Sequence, residues 1–159
     1  MSDLLAANKA VAYAYVSAFD RNDLDAIEKL LADDFLWHTA VVGDGETTPR
    51  PFQSPTLCGL ENTMYGAILK GKAETLSVFK RLFDAGAANP AHYFHLRAIS
   101  LTAEDDRVAV EALGDGRNPM NERRYRNIYF ILMRIRDGQV ARYKEYQDTL
   151  HIYDVWQAE

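Results

Sequence analysis

From Arg124 to Arg136, two kinds of position alternate without interruption. The odd positions are Tyr125, Asn127, Tyr129, Ile131, Met133 and Ile135; the even ones are Arg124, Arg126, Ile128, Phe130, Leu132, Arg134 and Arg136. A period of two is that of a β-strand, whose successive side chains point to opposite faces. Four arginines mark the even side as the outer one. Asp137-Gly138 is a tight hairpin signal, and the alternating run after it, 139–148, carries Arg142 and Lys144 on its outer side. Tyr143, Glu145 and Gln147 are left facing inward. Two earlier strands, near 93–103 and 107–114, are bounded by turn signals at Glu104-Asp105-Asp106 and Gly114-Asp115-Gly116.

Before His92 the pattern changes to a helical one. Leu4, Ala7, Val11, Tyr15 and Ala18 fall on one stripe, which predicts an amphipathic helix from Leu4 to Phe19. The polar turn Asp20-Arg21-Asn22-Asp23 ends it. Asp23 is placed to cap a second, shorter helix with Leu24, Ile27, Leu30 and Leu31 at helical spacing. Phe35 to Val42 reads as the first strand. From Gly43 to about Leu69 periodicity dissolves into Gly, Pro, Thr and Ser, including Thr48-Pro49-Arg50-Pro51. A loop of that length suggests function and is expected to overhang a pocket. A third helix, about Lys72 to Ala85, sets Leu76, Phe79, Leu82 and Phe83 on one side and is expected to stop at Gly86. Helices early and antiparallel strands late predict a single α+β domain, a curved sheet wrapped around three N-terminal helices that cover its apolar face.

Composition fits that picture: 159 residues, 48% hydrophobic and 26% charged, are enough for one domain with a substantial core and too few for two. The net charge of -5 comes without a basic tract, which argues against nucleic acid as a partner. No apolar run approaches the roughly 20 residues that span a bilayer, and Met1-Ser2-Asp3-Leu4 lacks the start of a secretory signal, so no membrane partner and a cytoplasmic location are expected. Cys58 is the one cysteine and reads as a bystander thiol. His92 and His95 lie three residues apart, on opposite faces of a strand, with no carboxylate or cysteine to complete a ligand set. Gly43-Asp44-Gly45 and Gly114-Asp115-Gly116 read as turns and not as phosphate cradles. Neither a metal nor a cofactor is expected.

Two features of the hairpin bear on function. Glu145 is an inward carboxylate among tyrosines; burying such a charge costs several kcal/mol unless it is paired or its pKa rises, so it has a partner or a task. The alternative is a bulge that breaks the alternation and lets Glu145 pair outside with Arg126 or Lys144. On the outer side, Ile128, Phe130 and Leu132 form an apolar centre flanked by arginines, as a sheet-to-sheet homodimer interface would. Cover by a loop or by the C-terminal tail is the alternative.

These residues also carry a resemblance that spans the chain apart from the 43–69 loop. Tyr15, the turn from Asp20 to Ile27 and Leu31-Ala32-Asp33-Asp34-Phe35 resemble the opening of the ketosteroid isomerase and SnoaL-like polyketide cyclase superfamily, the cone-shaped nuclear-transport-factor-two-like fold. Tyr125-Arg126-Asn127, the run Met133 to Val140 and Glu145-Tyr146-Gln147-Asp148 resemble its close. The resemblance implies a pocket for a small, largely apolar molecule and cofactor-free chemistry of the isomerase, lyase or cyclase kind. The isomerase's oxyanion-donating tyrosine falls on Tyr15. Its base aspartate falls on Thr39 and its protonated aspartate on Ile131, so that pair of acids is missing. The last-strand carboxylate of limonene epoxide hydrolase and SnoaL-like cyclases falls on Glu145, while the hydrolase's arginine and aspartate fall on Ala112 and Gly114. Neither steroid isomerisation nor epoxide hydrolysis by those residue sets is expected.

The candidate catalytic residues are therefore Glu145, Tyr15 and His38, with Trp37, Thr39, Asn127, Tyr129, Ile131, Tyr143 and Gln147 as candidate substrate contacts. Glu145 can serve as a base beside a carbonyl while Tyr15 donates to the developing oxyanion. Each has a plainer reading. Tyr15 also suits the core side of its helix. Strand parity with Trp37 and Thr39 inward sends His38 to the surface or a turn, and only a bulge would rotate it inward as a second acid/base. Asp148 most simply caps a C-terminal helix. An enzyme on a carbonyl-bearing small molecule and a non-catalytic binding domain of the same fold both stay open.

Overall fold

The structure is a computed structural model that describes residues 2–39, 68–118 and 121–157. Its elements are α1 (Ser2–Asp20), α2 (Leu24–Leu30), β1 (Leu31–Thr39), β2 (Ile68–Lys70), α3 (Lys72–Ala88), a 3-10 turn (Pro90–His92), β3 (His95–Glu104), β4 (Arg107–Arg117), β5 (Arg124–Arg136), β6 (Gln139–Gln147) and α4 (Thr149–Gln157). The strands form one curled, open sheet in the order β2-β1-β6-β5-β4-β3. The α+β class and the late sheet are as the sequence predicts. The sheet is mixed and not antiparallel throughout, because β1 runs parallel to β6 while the other neighbours are antiparallel. Parallel neighbours need a long crossover, and α3 with β3–β5 lies between these two strands in sequence.

Strand β5 alternates along its whole length, with Tyr125, Asn127, Tyr129, Ile131, Met133 and Ile135 buried and the four arginines exposed. In β6 the register shifts by one residue between the pairs Arg134↔Arg142 and Ile135↔Val140. The bulge lies ahead of Tyr143, so Tyr143 and Glu145 stay inward as parity predicts. The turn Asp137-Gly138 has both residues at positive φ, 52° and 75°, the twist that matches a two-residue hairpin.

Helix α1 crosses the inner face and buries Ala12, Tyr15, Val16, Ala18 and Phe19 in one core with Val108, Val110, Ile131 and Met133 of the sheet. Its first turns differ from the predicted stripe. Leu4 and Ala7 are exposed, and Asn8 is buried in their place because its amide donates to the Asp105 carbonyl at 2.9 Å in the β3–β4 turn. Asp23 caps α2 as expected, its carboxylate accepting from the Ala26 amide at 3.0 Å. Leu31 ends α2 and opens β1, four residues before the predicted strand start, and is fully buried.

Two glycine-based expectations fail for a common reason, which is close packing. Helix α3 does not stop at Gly86 but continues to Ala88, with Gly86 buried where Tyr93 packs against its backbone. Gly114-Asp115-Gly116 is not a turn but part of β4. A Cβ on Gly114 would lie 2.5 Å from the Tyr129 ring and 2.7 Å from that of Phe94. At the end of the expected 43–69 loop, Ile68–Lys70 pairs with β1 as β2. The rest of that loop, Cys58 and residues 40–42 of the predicted first strand lie outside the described residues.

Candidate functional site

Strand β6 supplies a row of three inward side chains, Tyr143, Glu145 and Gln147, spaced about 7 Å apart at two residues per step. Its two neighbours complete the row. From β5 the register sets Met133, Ile131 and Tyr129 opposite these three in turn. From β1 the parallel register sets Trp37 beside Tyr143 and Thr39 beside Glu145. Helix α1 then lays Tyr15 over them, with its ring centroid 5.7 Å from that of Tyr143. The Trp37 ring stands edge-on to Phe79 at 5.2 Å and to Tyr143 at 6.1 Å, which walls this end with aromatic surface.

Glu145 is only 8% exposed, and Tyr15 and Tyr143 are 1% and 3% exposed. The alternation is unbroken here, so an outward Glu145 paired with Arg126 or Lys144 is not what the fold builds. Burial first, and then the negative charge of Glu145, pushes the Tyr15 phenol far above its ordinary range. Tyr143 is raised for the same two reasons, with Tyr15 as a further neighbour and a side-chain hydrogen bond to Glu145 acting the same way. Both phenols therefore keep their protons at any physiological pH. A buried carboxylate beside two protonated phenols, one of them hydrogen-bonded to it, is an acid/base arrangement.

His38 does not join this group. It pairs in register with Lys144 and with Ile68, on the face opposite Trp37, and the register from Leu36 to Thr39 is regular, so no bulge turns it inward. Nor is it at the surface, as parity alone suggests: His38 is 2% exposed and Leu36 8% exposed, so the outer face of β1 is covered where that of β5 is open.

Farther along the inner face lies a second cluster. Asn127 is buried and engaged at both ends of its amide: Nδ2 donates to the Tyr125 hydroxyl at 3.1 Å and to the Asp148 carbonyl at 3.0 Å, and Oδ1 accepts from the Asp148 amide at 3.2 Å. It fastens the end of β6 to β5. The Tyr125 and Tyr129 hydroxyls are hydrogen-bonded to each other at 2.8 Å. The Asp148 carboxylate accepts from the Leu150 and His151 amides at 3.0 and 3.1 Å, so it caps α4. Three further members of this cluster are not among the residues the sequence singles out. Tyr125 lies under Phe94 on one stacking contact and His151 on another, with centroids at 6.1 and 5.7 Å. Only Tyr125 left a signal, its place in the inward series of β5; Phe94 precedes its strand and His151 sits on α4. His92 and His95 make separate hydrogen bonds, with the Glu122 carboxylate at 2.7 Å and the Asp20 carboxylate at 3.1 Å.

Helices laid inside a curled six-stranded sheet, with the last strand lending its carboxylate to the interior, define the class of the fold, nuclear-transport-factor-two-like. Residues 12–143 match the family model of the SnoaL-like domain, and the chain belongs to that family. No curated protein matches it in sequence. Among solved structures it is similar to Bal32a from a soil-derived mobile gene cassette (18% identity, TM-score 0.70, covering 96% of this chain and 98% of that one). It is similar also to an NTF2-like protein of unknown function from Burkholderia pseudomallei (17%, 0.68, 96% and 98%) and to an LEH-like epoxide hydrolase from M. tuberculosis (15%, 0.65, 96% and 89%). At these identities the likeness is one of fold. None of the described helices is long and apolar enough to cross a membrane.

Proposed function

We propose that this protein is a cofactor-free acid/base enzyme, an isomerase, lyase or cyclase, acting beside the carbonyl of a small and largely apolar molecule. The observation that carries this reading is the buried Glu145 carboxylate beside the Tyr15 and Tyr143 phenols, which burial and its charge hold in the protonated form. In the proposed step the Glu145 carboxylate takes the proton from the carbon next to the carbonyl. The electron pair of that C–H bond passes into a C=C bond, and the carbonyl π pair moves onto oxygen. The resulting enolate oxygen accepts hydrogen bonds from Tyr15 or Tyr143, and Glu145 returns the proton at the same or another carbon. Aromatic walls from Trp37 and Phe79 suit an apolar substrate and keep water from the base. Membership of the SnoaL-like family and the epoxide hydrolase among the structural neighbours agree with small-molecule chemistry in this fold.

A non-catalytic ligand-binding domain is the second reading. It is favoured by Ile131, the apolar residue directly opposite Glu145, and by Ala112 and Gly114, which offer no acid or base on β4. Turnover and binding of carbonyl-bearing terpenoids, steroids and aromatic polyketides by the wild type and Glu145→Gln separate the two. The enzyme reading expects turnover to fall ~10²-fold or more in the variant while binding is kept. Equal turnover by both proteins removes Glu145 as base, and binding without turnover by either leaves the second reading.

A further inference from the structure

Two inward polar groups beside Glu145 are buried without a hydrogen-bond partner. One is the Trp37 indole N–H, and the other is the complete amide of Gln147, whose Oε1 and Nε2 are both fully buried. They bracket the carboxylate: Trp37 lies in register with Tyr143, one step before it on β6, and Gln147 is one step after it. A buried amide that makes neither of its bonds is costly, and such groups in native structures call for an explanation. The neighbouring polar groups do not provide one. Asn127 is engaged with Tyr125 and Asp148, and the Tyr129 hydroxyl, opposite Gln147, with Tyr125.

We infer that Gln147 is a specificity-determining residue, whose amide pairs with a hydroxyl or carboxamide group of the substrate about 7 Å from the carbon that Glu145 deprotonates. This rests on Glu145 acting as the base. An amide that can both donate and accept is matched by a group with the same two capacities, which hydroxyls and carboxamides have and ketones and ethers lack. A carboxylate or phosphate is disfavoured at this place, since it would meet the charge of Glu145. The substrate class is therefore an uncharged, mostly apolar ketone carrying a second, neutral donor-and-acceptor group. Trp37 N–H is free to serve a further acceptor at the opposite end.

The test is calorimetric binding of 1-tetralone and its monohydroxylated derivatives to the wild type, Gln147→Met and Glu145→Gln, with deuterium exchange next to the carbonyl followed in parallel by NMR. The wild type is expected to bind the hydroxylated isomer that fits about tenfold tighter than 1-tetralone. Gln147→Met is expected to lose that preference, binding the hydroxylated isomer no more tightly than 1-tetralone, and to melt at the same temperature or higher, because it removes a buried group that had no partner. A wild type that binds all the ketones equally or none of them overturns the assignment. So does a preference that survives in Gln147→Met, or a clear fall in that variant's stability. Glu145→Gln should retain the hydroxyl preference. Preference without exchange refutes the base and leaves Gln147 standing; Glu145-dependent exchange without preference does the reverse.

Discussion

Glu145, Tyr15 and Tyr143 form a unit whose members set one another's charge state. Each phenol is raised by burial and by Glu145, so the folded chain favours the protonated form at both positions. The unfolded phenols ionise near 10.0. Stability from these two groups is therefore fully present below that pH and is lost as pH rises above it, since only the unfolded state then gives up the protons. Spectrophotometric titration of the nine tyrosines should show at least two, Tyr15 and Tyr143, that ionise only together with alkaline unfolding. In Glu145→Gln they should ionise earlier, because the repelling charge is gone; an unchanged titration would mean that Glu145 does not face them. At this scale parity made Glu145, Tyr143 and Gln147 legible in the sequence, because arginines fixed the outer side of both strands. The unpaired state of Gln147 was not legible, since it depends on Asn127 and Tyr129 being occupied elsewhere.

Elements were readable where one pattern dominated and misread where a long-range partner decided. The unbroken alternation of β5 and the cap of α2 follow from local sequence, and the structure has both. The first turns of α1 do not, because a polar Asn8 becomes the buried residue only through a carbonyl 97 residues away. Likewise glycine reads locally as a break, but Gly114 and Gly116 are in β4 to make room for Phe94 and Tyr129. That gives a sharp expectation. Gly114→Ala forces a Cβ into two packed rings, one of them held by its hydroxyl, and should lower unfolding free energy by ~1–3 kcal/mol in a denaturant titration. A neutral effect would mean that the rings move aside freely.

For the whole molecule the sequence showed the α+β class and the superfamily, while the parallel docking of β1 on β6 had no local signature. Docking there is what brings Trp37 and Thr39 to the Tyr143–Glu145 row, so part of the candidate site was hidden with it. The outer face of the sheet leaves Ile128, Phe130 and Tyr146 about half exposed, with Leu132 partly buried among them. A second copy of this chain seated face to face is the proposed cover, and Phe130→Arg should convert a dimer to a monomer in analytical ultracentrifugation; an unchanged sedimentation coefficient would refute it. The proposed chemistry turns on Glu145 moving a proton. The most direct measurement is NMR-detected exchange of the proton next to the carbonyl of 1-tetralone in deuterated water, with wild type and a folded Glu145→Gln protein side by side. With Glu145 as base, exchange runs above the uncatalysed rate and falls ~10²-fold or more on substitution. Exchange at the same rate in both proteins would contradict it.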